Sequence, residues 1–189
     1  MALTTIDEKT ALVVIDLQKG IAAYPVQPYT SADVIARTAE LAAEFRAHGA
    51  PVVLVHVNPD PAPPGRTEGA RRGGTMPDDW AQYVDELTGH DEDIVVLKRN
   101  WGAFYGTDLD LQLRRRGITQ IVLTGIATSI GVESTARAAY EHGYHVTLAT
   151  DAMSDMDSES HRHSIEKIFP RLGETGTAAE ILELFIKTR

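Results

Sequence analysis

Five short runs of apolar, largely β-branched residues punctuate the chain: ALVVID (11–16), PVVLVHV (51–57), DIVVLK (93–98), QIVLTGI (120–126) and YHVTLATD (144–151). They are short for helices and hydrophobic without strict alternation, which predicts strands buried on both faces. Between them apolar positions recur at helical spacing. SADVIARTAELAAEFRAHG (31–49) ends on the stop signal Gly49, and TDLDLQLRRRG (107–117) runs from a candidate Thr cap to Gly117. GVESTARAAYEHG (131–143), DSESHRHSIEKIF (157–169) and TAAEILELFIKT (177–188) continue the alternation. Strands alternating with helices require crossover connections, hence parallel pairing with helices on both sheet faces. The pattern predicts a single-domain α/β fold, a three-layer α/β/α sandwich on a mostly parallel sheet. PRLGET (170–175) is the candidate sixth strand.

One stretch breaks this rhythm. Residues 58–80, NPDPAPPGRTEGARRGGTMPDDW, are rich in Pro and Gly and carry Arg66, Arg71 and Arg72. A connection this long inside a domain is usually functional or disordered. Two readings stand: a solvated surface excursion, or an arm that brings a guanidinium to an anionic ligand.

Composition narrows the chemistry. The net charge of −9 argues against nucleic acid or an anionic membrane as the main partner. A small anionic substrate remains compatible, because a pocket can be locally basic. The chain has no cysteine, which removes disulfides, thiolate zinc sites and a thiol nucleophile together. The N-terminal residues show no basic region followed by a long hydrophobic segment, so the expectation is a cytoplasmic protein without a membrane span.

In open parallel sheets ligands bind beyond the carboxyl ends of the strands. Three features gather there. Asp16 ends the first apolar run, Lys98 ends the third, and the turn GIATSIG follows the fourth. Each also has an ordinary structural reading. A strand-end Asp caps or turns, a strand-end Lys is solvated, and turn glycines permit close packing.

Three longer blocks sharpen the choice: ALVVIDLQ, VVLKRNWGAFYGTDLDLQLRRRGI and IVLTGIATSIGVESTARAAYEHGYHVTLATDAMSD. In content and order they resemble the signature blocks of the isochorismatase-like, or cysteine hydrolase, superfamily, over about residues 8–187. The resemblance implies a Rossmann-like, six-stranded sheet. It also implies a triad position for Asp16 and Lys98, with Gly131 standing where most of the family carries the nucleophilic Cys. It further implies a non-proline cis peptide in the turn, expected at Ala127–Thr128, that aims backbone N–H groups near Thr128 and Gly131 into the cleft. Relatives assemble as homo-oligomers, so a homo-oligomer is expected here.

A thioester route to amide hydrolysis needs a thiol that this chain lacks. Ser129 and Ser134 lie near the turn, but an unactivated serine needs a base and an orienting partner. Isochorismatases within the superfamily need no thiol, since they cleave an enol-pyruvyl ether by protonation. By that resemblance Asp16 is the proton donor and Lys98 an anion anchor, with burial raising the Asp16 pKa and Lys98 lowering it. The alternatives are an inactive member that binds a small acid or a protein partner, and a hydrolase in which Asp16 acts as a base on water. Gln18 is a candidate hydrogen-bond partner for substrate, or a packing and capping residue. Trp101, Phe104 and Tyr105 are candidates for an apolar substrate wall, with core packing the alternative for Phe104. Arg66, Arg71 or Arg72 would supply a second positive charge, and Arg99 is a further candidate, although as a strand neighbour it is expected to point away from the Lys98 face.

No cofactor is implied, because neither GTDLD nor TGIATSIG carries a phosphate-loop or dinucleotide fingerprint. His56, Asn58 and Asp60 lack the Asp-x-His pair through which nicotinamidase-like members bind metal, so no metal is expected. His161 and His163 in HRHS are expected to be solvated on different helix faces.

Overall fold

Alternate residues of the first apolar run enter different cores. β1 (Thr10–Ile15) is buried throughout its length. Leu12 and Val14 join one apolar cluster, while Ala11, Val13 and Ile15 join the other. Burying each larger aliphatic side chain contributes about 1.5–3 kcal/mol, and period-two alternation lets one strand hold both layers.

The computed structural model describes residues 3–57 and 76–189. After β1 come α1 (Lys19–Ala22), α2 (Ser31–Ala47), β2 (Val52–Val57), β3 (Ile94–Lys98) and α3 (Leu109–Arg115). β4 (Gln120–Ile126), α4 (Glu133–Glu141), β5 (His145–Ser154), α5 (Ser158–His163), β6 (Glu174–Gly176) and α6 (Ala178–Lys187) complete the order. The strands form one sheet in the order β3-β2-β1-β4-β5-β6, with every pairing parallel. The first cluster lies between the sheet and α2 with α6, where Phe45 and Phe185 stack at 4.0 Å between ring centroids. The second gathers residues of α3 and α4 with Phe169 on the other face. Among the described residues no helix is long and apolar enough to cross a membrane.

The expected α/β/α architecture is present, and its differences from expectation are local. The sixth strand begins at Glu174 rather than Pro170, because Phe169–Arg171 forms a 3₁₀ turn. Helix α3 starts at Leu109, with the Thr107 hydroxyl accepting the Leu109 N–H at 3.2 Å. The segment expected as one helix over 157–169 is α5 followed by a π-helical turn at Ser164–Ile168. Helix α1 was not expected, since four residues are too few to show a periodicity.

Two features position the site. The strand order reverses between β1 and β4, which opens a crevice at their carboxyl ends. Beside it, residues 80–84 pair with the segment after β1. The N–H of Gly20 donates to Trp80 O at 2.9 Å, that of Lys19 to Gln82 O at 2.8 Å, and that of Val84 to Leu17 O at 3.2 Å.

Candidate active site

Asp16 follows β1 with φ of +53°, a left-handed conformation unusual for a residue other than glycine. Its neighbourhood depends on Gly125 of β4, at φ +122°. A Cβ there would sit 2.0 Å from the Ile15 carbonyl oxygen, so only glycine lets β4 pass the end of β1 this closely. Lys98 closes β3 and shares its buried face with Ile94 and Val96. The side chain spans β2 and brings Nζ to 2.7 Å from Asp16 Oδ2, with both side chains almost wholly buried. The same ammonium donates to Trp101 O at 2.6 Å. Asp16 Oδ1 is buried and has no hydrogen-bond partner. Burial pushes the Asp16 pKa up to about 6, against the opposing pull of the Lys98 ammonium.

Gly131 completes this cluster. A Cβ at this residue would lie 3.3 Å from both Asp16 Oδ2 and Lys98 Nζ, and 2.8 Å from Ile15 Cγ2. Replacing a helical glycine by alanine normally gains about 1 kcal/mol. Here we expect Gly131→Ala to lose about 1–3 kcal/mol instead, because Ile15 is held inside the sheet and must shift. Urea unfolding measures this; a variant as stable as the parent would show that the end of β1 yields freely.

The backbone that carries Gly131 is a π-helical turn, Thr128–Val132. The cis peptide is Ile126–Ala127, at the end of β4 and one bond earlier than expected. The Ala127 carbonyl accepts the N–H groups of Ile130 at 3.3 Å and Val132 at 3.1 Å. Side chains hold the turn from outside. Thr135 Oγ1 donates to Gly131 O at 2.7 Å, and the Ser129 N–H donates to Asp155 Oδ2 at 2.6 Å. The Thr128 hydroxyl, fully buried, meets His161 Nδ1 at 2.8 Å. His161 is therefore buried rather than solvated, while His163 is exposed. The overlooked signal was the helical spacing of His161, Ile165 and Ile168, which gives the imidazole an inward face. Asp155 was also missed, because nothing local distinguishes it from Asp151 or Asp157.

Several expected contacts resolve differently. Gln18 is fully buried and spends its amide on backbone: Oε1 accepts the Val57 N–H at 2.9 Å, while Nε2 donates to Trp80 O at 3.3 Å and Val57 O at 3.4 Å. It clamps β2 to the 80–84 segment instead of facing a ligand. Gln18→Leu should lose about 1–3 kcal/mol for each backbone group left unpaired, read as a lower melting temperature. An unchanged melting temperature would contradict the clamp. Phe104 packs in the second core cluster, stacked on His142 at 5.0 Å, which is the packing alternative rather than a substrate wall. Trp101 and Tyr105 are 68% and 77% exposed, so in the single chain they do not close a dry wall. Arg99 is exposed, as the strand alternation required. Ser134 lies against Gly102. His56 Nδ1 contacts Ala81 O at 3.2 Å. Asn58, Asp60, Arg66, Arg71 and Arg72 lie outside the described residues.

Tyr83 was not singled out from sequence. Its hydroxyl donates to Leu54 O at 2.9 Å, and burial, with the nearby Asp16 and Asp93 charges, raises its pKa. It stays protonated, and its ring packs against the first core cluster.

Residues 10–180 match the isochorismatase domain. The chain is 50% identical over 181 residues to the uncharacterized isochorismatase family protein YwoC of Bacillus subtilis, covering 93% of this chain and 94% of that one. It is 35% identical over 160 residues to the ureidoacrylate amidohydrolase RutB of Methylobacterium radiotolerans, covering 71% and 60% respectively. The solved structure of an isochorismatase family protein from Burkholderia thailandensis superposes with a TM-score of 0.92 at 46% identity, over 96% of this chain and 98% of that one.

Proposed function

Because the chain belongs to the isochorismatase family, we propose that it is a cofactor-independent hydrolase of a small carboxylated enol ether of isochorismate type, with Asp16 as proton donor and no covalent intermediate. One observation carries this reading. Asp16 is a buried carboxyl with one oxygen on Lys98, the other without a partner, and a pKa raised to about 6. A carboxyl so placed keeps a protonated fraction near neutrality, and a neutral acid donates a proton where a carboxylate does not.

The chemistry follows from the bond to be broken. The Asp16 proton passes to the terminal vinyl carbon of the enol-pyruvyl ether, leaving an oxocarbenium ion at the ether-bearing carbon. Water adds there, losing a proton that returns to the Asp16 carboxylate. The resulting hemiketal collapses to pyruvate and the ring alcohol, a dihydroxy-cyclohexadiene acid. The net change is addition of one water. Lys98 anchors a substrate carboxylate and offsets its charge. That bound anion raises the Asp16 pKa further and so favours the protonated acid.

Gly131 stands, by the family resemblance, at the position of the nucleophilic cysteine. The relative named as an amidohydrolase supports a hydrolase acting on a small acid, but a thioester route requires a thiol, and this chain has none. Ether protonation requires none. A homo-oligomer in which neighbouring copies cover Trp101 and Tyr105 accords with their exposure in the single chain.

The test is incubation with isochorismate, with pyruvate detected through lactate dehydrogenase. Pyruvate released at a rate proportional to protein is the expected result. A chain that isochorismate stabilises against heat without releasing pyruvate is a binder, and the hydrolase reading fails.

A further inference from the structure

A buried imidazole sits behind the site, and the reaction above does not use it. His161 lies on the inner side of α5, where the Tyr29 ring meets it edge-on with centroids 6.1 Å apart. Its Nδ1 touches the fully buried Thr128 hydroxyl at 2.8 Å. Burial lowers the His161 pKa despite the opposing pull of the Asp155 carboxylate, and so favours the neutral ring. A neutral imidazole has one N–H and one bare nitrogen, and a hydroxyl both donates and accepts. The contact with Thr128 is therefore a hydrogen bond in either tautomer.

A π-helical turn is a rare conformation that recurs at functional sites, and it persists where its surroundings hold it. Here the holding groups occupy consecutive residues at its start. Thr128 is held through its hydroxyl by His161, and Ser129 through its N–H by Asp155, whose other oxygen accepts the Met156 N–H at 2.8 Å. Three residues beyond Thr128, Gly131 faces Ile15, Asp16 and Lys98 so closely that an added Cβ would lie 2.8 Å from the first and 3.3 Å from the other two. A loosened turn start would let that backbone lift away and admit water.

From these contacts we infer that His161 is a positioning residue of the Asp16–Lys98 pair, fixing through Thr128 the turn that keeps Gly131 pressed against the pair and water out. The inference rests on the pair being the reacting centre proposed above, but its test needs no turnover. If the turn seals the pair, loosening it relieves the burial that raises the Asp16 pKa, and the Asp16 titration moves toward that of an ordinary carboxyl.

The experiment follows the side-chain carboxyl carbon of Asp16 by ¹³C NMR against pH in the full chain. In His161→Leu the midpoint is expected to fall by about one pH unit. In His161→Asn, whose amide can stand in for Nδ1, it returns toward the parent value. Ser164→Ala is the control. It removes the 2.7 Å bond from Ser164 Oγ to Glu133 Oε2, weakening the same region without touching Thr128, and should leave the midpoint in place. If His161→Leu does not fold, Thr128→Val removes the same hydrogen bond from the other side and should shift the midpoint equally. An unmoved midpoint in the folded Leu or Val variant, or an equal shift in Ser164→Ala, overturns the inference. A parent midpoint already near an ordinary carboxyl would instead overturn the buried-acid reading on which the proposed reaction stands.

Discussion

Asp16→Asn is expected to lower turnover of an enol-ether substrate about 10²–10⁴-fold, the usual contribution of a positioned general acid. Asparagine keeps the volume and an acceptor for Lys98, but has no acidic proton to give. The loss should fall on kcat, with KM little altered, because Lys98 still meets the substrate anion. In the parent, kcat/KM should decline as pH rises through about 6, where Asp16 loses its proton. At pH 7 roughly a tenth of the free protein would carry the protonated acid. A parent profile flat from pH 5 to 8, or an Asn variant with unimpaired turnover, would remove Asp16 from the chemistry.

The same proton affects stability. The Asp16 pKa is raised in the folded chain from 3.8 to about 6, so between those values the native state binds a proton that the unfolded chain has released. Its contribution is complete below about pH 4 and is lost as pH rises through about 6, an effect on the order of 3 kcal/mol. The parent protein thus gives up stability above about pH 6 to keep this carboxyl buried.

Lys98→Met should be the most damaging substitution to the fold at the site, and its cost should depend on pH. Methionine matches the aliphatic length of lysine and removes the charge, leaving Asp16 buried without the ammonium 2.7 Å away. The Trp101 carbonyl loses its donor as well. Breaking a buried pair costs about 3–5 kcal/mol when the remaining charge is stranded. Asp16 can escape that cost by keeping its proton, and without Lys98 its pKa rises above its value in the parent. The variant should therefore be strongly destabilised at pH 8 and much less so at pH 5. Urea unfolding at the two pH values measures both. An equal loss at pH 5 and pH 8 would mean that the pair is not coupled as its geometry implies.

The strands, and the two polar residues that end β1 and β3, were legible in the sequence. The apolar runs became strands within a few residues of their expected bounds, and Asp16 and Lys98 stood out as polar residues ending them. The position of Gly131 came from motif resemblance, not from any property of glycine. Other features were hidden for physical reasons. Gln18 and Phe104 read as candidate ligand contacts because a polar or aromatic residue near a strand end looks the same whether it faces a cleft or a neighbouring backbone. Only the clamp on Val57 and Trp80, and the stack on His142, separate the two. His161 was expected to be solvated because it and His163 stand two apart on different helix faces, and that spacing alone does not say which face packs inward.

The sequence by itself determined the layers and the parallel sheet, because periods of 2 and 3.6 are local properties of the chain. It also determined that no thiol can act here. Tertiary structure decided that a lysine at the end of β3 reaches across β2 to an aspartate at the end of β1, and that water is kept from both. Proton affinity depends on that distance and that burial, which are set by how strands and turns pack and are written in no single stretch of residues.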